Sequence, residues 1–183
     1  MYYCSMKKLL LLLLCVPLIG LGQNLSNEEI ELYHLINQYR NSKGLKNIPL
    51  SKSLTFVAQT HVKDLVNNSP NHHVNCNMHS WSNKGNWTPC CYTSDHARAE
   101  CMWDKPSELT SYKGNGYEIS HGAPGYPNYV VTAESAINGW KESSGHNAVI
   151  INQGIWKDAN WQAIGVGIYK NYAAVWFGKE RDQ

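Results

Sequence analysis

Eight histidines, a serine pair beside one of them and a cluster of cysteines are the residues of this 183-residue chain with types suited to chemistry. Imidazoles and a carboxylate can hold a divalent metal through neutral ring nitrogens and an oxygen, or can move protons near neutral pH. Ser143 and Ser144 stand close to His146, which invites a serine nucleophile with a histidine base. Such a nucleophile also needs its base oriented by a third group. His61 falls on an apolar helical stripe and reads as a satisfied core histidine. His72, His73, His96 and His121 fall in polar loops and read as solvated, with His72–His73 near Cys76 at most an adventitious metal pair.

The cysteines follow from the first residues of the chain. Lys7 and Lys8 precede an apolar run from Leu9 to Ile19, closed by Gly20 and Gly22. That is the layout of a secretory signal peptide, and the run is short for a bilayer span. Cleavage near Gly22–Gln23 gives a signal peptide at 1–22 and a mature domain at 23–183 with no transmembrane segment. Cys15 follows Leu14 rather than the small residue of a lipoprotein signal, so a soluble secreted product is expected, with a lipid-anchored form as the alternative. The signal takes two lysines and no acid, leaving 14 basic and 14 acidic residues. A neutral domain lacks the basic footprint of a nucleic-acid binder. Its length suits one domain with one core.

Cys76, Cys90, Cys91 and Cys101 remain, all within 26 residues. An even count in one irregular segment of an exported chain reads as disulfides. No C-x-x-C pair is present, which argues against a structural zinc knuckle. A bond between neighbours Cys90 and Cys91 would be strained. Two bridges are expected, each using one of that pair, and both such pairings stay open.

The elements that must position these groups are legible in part. Ser26 and Glu29 have capping-box spacing, and Ile30, Leu32, Leu35, Ile36 and Tyr39 recur at helical intervals, so the spacing predicts a helix over 27–42 ending near Gly44. A second helix starts near Ser51 or Ser53. Its stripe is Leu54, Val57, Ala58, His61, Val62 and Leu65, and it ends at Asn67–Pro70. Residues 70–130 read as a stapled, loop-rich region with one or two short strands, in which Trp81, Trp87 and Trp103 are expected to pack around the disulfides rather than form a carbohydrate platform. Residues 132–143 return to helical spacing. Ile164, Val166 and Ile168 alternate with glycines, Lys170–Asn171 turn, and Ala173–Phe177 return as a strand.

Four landmarks in this order resemble the CAP superfamily of cysteine-rich secretory, antigen 5 and pathogenesis-related proteins, closest to its bacterial, SCP-like extracellular subgroup. They are I-N-Q-Y-R-N-S-K-G-L at Ile36–Leu45, His79 in N-M-H-S-W, W-K-E-S-S-G-H at Trp140–His146, and I-G-V-G-I at Ile164–Ile168 leading to W-F-G. The resemblance covers the mature chain and implies an α/β fold, a single-domain α-β-α sandwich. It also implies a cleft of two histidines and two acids. His79 and His146 match the histidines. Glu118, in G-Y-E-I, matches one acid loosely. The second acidic position holds Ser143, with Glu142 as its neighbour. A divalent metal such as zinc, held by His79, His146 and Glu118, is what that resemblance implies.

Three classes of function follow. The first is a secreted binding domain with a metal in the cleft and a lipid, sterol or extracellular protein as ligand. The second is a metal-assisted or His/Glu hydrolase of peptide or ester bonds, using His79, Glu118 and His146. The third is a scaffold with a vestigial cleft. Serine in place of the second acid favours binding.

Overall fold

The computed structural model describes residues 24–126 and 128–183. The expected signal peptide, with Cys15, lies outside the described residues. Helix α1 runs Asn27–Ser42 behind the capping box foreseen for it: the Glu29 amide donates to Ser26 Oγ, and the Ser26 amide donates to the Glu29 carboxylate. Helix α2 runs Lys52–Asn68 and is capped by Ser51. It has no acidic residue in its first turn. Asp182 supplies one from the far end of the chain, accepting from Ser51 Oγ at 2.7 Å and from the Ser53 amide at 2.8 Å. A carboxylate there satisfies a free amide and complements the helix dipole.

The stapled region is more helical than expected. Short helices α3 (Glu100–Trp103) and α4 (Lys105–Leu109) precede strand β1 (Gly116–Gly122). Helix α5 (Ala133–Glu142) follows, capped by Thr132, and Ser143 breaks it in extended backbone from α6 (Ser144–Ile150). Strands β2 (Ala163–Tyr169) and β3 (Tyr172–Gly178) close the chain. The sheet order is β1-β3-β2, antiparallel throughout, with Glu118 opposite Trp176 and Trp176 opposite Gly165.

Helices cover both faces, as an α-β-α sandwich requires. On one face Leu32 and Ile36 of α1 and Ile137 and Trp140 of α5 bury with Ile164, Val166, Val175 and Phe177. On the other, Leu54, Val57, Ala58, Val62 and Leu65 of α2 bury with Ala174, Trp176, Trp81 and Met102. Each Leu, Ile or Val side chain so buried contributes about 1.5–3 kcal/mol. The glycines of β2 set how close α2 lies. A Cβ at Gly165 would stand 2.0 Å from the Leu54 carbonyl carbon, and one at Gly167 would stand 2.5 Å from that of Ala58. Alternation in I-G-V-G-I therefore gives one packed apolar face and one bare face that admits a helix backbone.

Both disulfides form, Cys76–Cys91 with Cα atoms 5.0 Å apart and Cys90–Cys101 with Cα atoms 6.2 Å apart. Each uses one of the adjacent pair. Among the described residues no helix is long and apolar enough to cross a membrane.

Candidate functional site

Glu118 is the centre of the site. Strand alternation turns it toward α2, and its side chain is fully buried. A buried carboxylate is costly without partners, and it has two. His61 Nδ1 donates to Oε1 at 2.6 Å, and His79 Nδ1 donates to Oε2 at 2.9 Å. Burial alone would raise the Glu118 pKa. The charge and hydrogen bond of His61, followed by the hydrogen bond of His79, hold it well below the usual carboxylate range. Burial would likewise push the His61 ring toward its neutral form. Glu118, the Ser80 carbonyl and the charge of Asp64 outweigh this and raise its pKa.

His79 sits on the loop after α2, held by three features of the stapled region. Cys76, three residues earlier, is bridged to Cys91. Its own amide donates to Asn77 Oδ1 at 3.0 Å. The ring meets Tyr92 edge to face at 5.2 Å. His146 comes from α6. Burial lowers its pKa below the ordinary imidazole value, against the pull of Glu118.

These three residues do come together. His79, Glu118 and His146 line one cavity of about 470 Å³. The rest of the lining is largely apolar and aromatic, including Met102, Trp103, Tyr117, Val149 and Trp156. Ile155, at 90 % exposure, marks its rim. Glu142 is exposed and is not part of the lining, whereas Ser143 beside it is. No hydrogen bond joins Ser143 to His146 among the described residues, so the nucleophile–base pairing suggested by their spacing is not formed.

Three placements differ from the sequence reading. His61 is a buried, satisfied histidine as expected, but the group that satisfies it is the site carboxylate. That link spans 57 residues, and no local pattern signals it. Trp81 and Trp87 pack together at 5.2 Å, whereas Trp103 leaves the disulfide packing and walls the cavity. His121 lies in β1 near Trp140 rather than in a polar loop.

As for a metal, both oxygens of Glu118 are engaged by imidazoles. Among the described residues no three His, Cys, Asp or Glu side chains are grouped to hold an ion. The donors that fit one are cavity imidazoles, His79 and His146, with His96 also in the lining. Of these, His79 has the carboxylate behind its ring that metal-binding histidines commonly show.

The model of the cysteine-rich secretory protein family matches residues 33–177. Solved structures agree on the fold. A cysteine-rich secretory protein of Staphylococcus aureus aligns with TM-score 0.51 and 17 % identity over 84 % of this chain and 39 % of its own. An outer surface protein of Borrelia burgdorferi aligns with TM-score 0.55 and 16 % identity over 87 % and 99 %. An extracellular protein of Bacillus anthracis containing an SCP domain aligns with TM-score 0.54 and 15 % identity over 84 % and 40 %. This chain thus spans about two fifths of the staphylococcal and anthrax proteins and nearly all of the borrelial one. No curated protein matches the sequence. Since the family model covers most of the folded residues and the sheet, helices and paired disulfides are in place, the chain belongs to the cysteine-rich secretory protein family, the CAP domain proteins.

Proposed function

We propose that this is a secreted binding domain whose cavity takes an amphipathic small molecule, a lipid or sterol, with its apolar body against Trp103, Trp156 and Tyr117 and its polar head at His79 and His146. The carrying observation is the cavity itself: about 470 Å³, mostly apolar in lining, with the imidazoles of His79, His96 and His146 in it. That pairing of apolar walls with a few polar groups is the usual make-up of a small-molecule site. The test is tryptophan fluorescence titrated with palmitate and with cholesterol. Saturable change is expected with one of them, at least tenfold weaker in Trp103→Ala and in the His79→Ala, His146→Ala double variant. No saturable change with either ligand overturns the reading.

A divalent metal is the second reading, favoured by the Glu118 carboxylate behind the His79 ring. His79 and His146 would hold the ion, which would supply a Lewis-acidic site for a polar head. Calorimetric titration with Zn²⁺ tests it. Binding is expected to weaken with either His→Ala change and as pH falls through imidazole protonation. Equal affinity in wild type and both variants removes the metal.

A further inference from the structure

His61 faces two acceptors. Nδ1 meets a Glu118 oxygen at 2.6 Å and Nε2 meets the Ser80 carbonyl oxygen at 3.0 Å. Carboxylate and carbonyl oxygens only accept, and a neutral imidazole has one N–H to give. The ring is wholly buried, so both bonds form only when both nitrogens carry hydrogen. Its neighbour fits a cation: the ring stacks on Trp81 with centroids 4.3 Å apart at 7°.

The same accounting applies to His79. Its Nδ1 donates to Glu118, and Nε2 is the nitrogen that remains, on a side chain lining the cavity. His61 therefore grips His79 from two sides, through the carboxylate and through the backbone of the next residue, Ser80.

We propose that His61 is the positioning residue of this cavity: anchored by its hydrogen bond to the Ser80 carbonyl, it locks the Glu118 carboxylate with the other, and the locked carboxylate holds His79 in the tautomer with Nε2 free to accept. The proposal rests on the ligand-binding reading only for what Nε2 then does. Tautomers are read without ligand, so failure of one leaves the other standing.

The experiment is ¹⁵N–¹H correlation of the histidine rings at neutral pH in three proteins, with thermal unfolding as a check. In wild type, His61 is expected to show two protonated nitrogens and His79 a single Nδ1–H form. His61→Asn keeps an N–H near the Nδ1 position and is expected to keep the His79 pattern. His61→Gln keeps one near the Nε2 position, and His79 is expected to become a mixture of tautomers. A wild-type His61 with one bare nitrogen overturns the proposal. So does a His61→Gln protein with unchanged His79 signals, and so does equal loss in both variants, which would mean that only ring packing matters. If neither variant folds, the wild-type spectrum decides alone.

Discussion

The imidazole of His61 lies almost flat on the indole of Trp81, 7° from parallel and 4.3 Å between centroids. Trp81 also meets Trp87 and Trp176 edge to face, and Lys105 Nζ lies 5.5 Å from its ring centroid. Trp81→Ala is expected to cost about 3–5 kcal/mol, as large core truncations do. Trp81→Phe should cost far less, because it discards an indole N–H that has no partner among the described residues. Urea unfolding of the two variants checks this. A Phe variant as damaged as the Ala variant would contradict it.

Gly165 tests whether the closeness of α2 to the sheet matters to the site. The added methyl of Gly165→Ala meets backbone, not a movable side chain. The helix must lift, two turns before His61. Stability is expected to fall by about 1–3 kcal/mol, with ligand binding lost alongside. Gly145→Ala has open space around it and should leave stability unchanged. Similar melting temperatures for both variants would count against this packing argument.

Reduction is expected to loosen the cavity as well as lower the melting temperature. Cys76–Cys91 spans 15 residues and Cys90–Cys101 spans 11, and closing such loops is worth about 3 kcal/mol each. His79, Tyr92, Met102 and Trp103 all stand within three residues of a bridged cysteine. Peptide mapping under non-reducing conditions should recover those two pairs. Palmitate and cholesterol titrations before and after reduction should differ by at least tenfold for whichever ligand binds.

Stability against pH has a definite sign for each site residue. The Glu118 pKa is lowered from 4.5 to about 2 by folding, so its contribution is complete above 4.5 and is lost as pH falls through the folded value. His146 is lowered from 6.5 and costs stability as pH drops below 6.5. His61 is raised from 6.5, so its contribution is complete below 6.5 and is lost as pH rises through its folded value. Melting temperature should peak near pH 6.5, with the steepest acid loss below about 4.5. Glu118→Gln should flatten that limb, and an unchanged acid limb in this variant would refute the assignment.

Helices α1 and α2 were legible because period and caps are local: Ser26, Glu29 and Ser51 do what their spacing says. The two closing strands were legible through alternation. Helices α3 and α4 were not, because at four and five residues they lack a period and depend on Cys101 and on packing. The break at Ser143 hid α6 inside what reads as one helix. At the site, His79, Glu118 and His146 could be assigned through resemblance alone. His61 carried a visible sign of burial, but its partner lies on another element, and a core imidazole and a positioning imidazole look alike along a chain.

The central strand of the sheet is the last of its three strands to be synthesised. β1 and β2 each pair with β3 and not with each other, and β3 begins at Tyr172. A nascent chain short of that point holds two strands without their shared neighbour and an α2 without Asp182 at its start. Such non-local pairing delays closure of the sheet until β3 has been made. The order of synthesis thus leaves the sheet open until Tyr172–Gly178 has emerged. A ribosome-bound chain halted before Tyr172 should be digested throughout by protease, while one with Gln183 carried clear of the ribosome on an added linker should resist. Resistance in the shorter chain would show that the helices fold without the sheet.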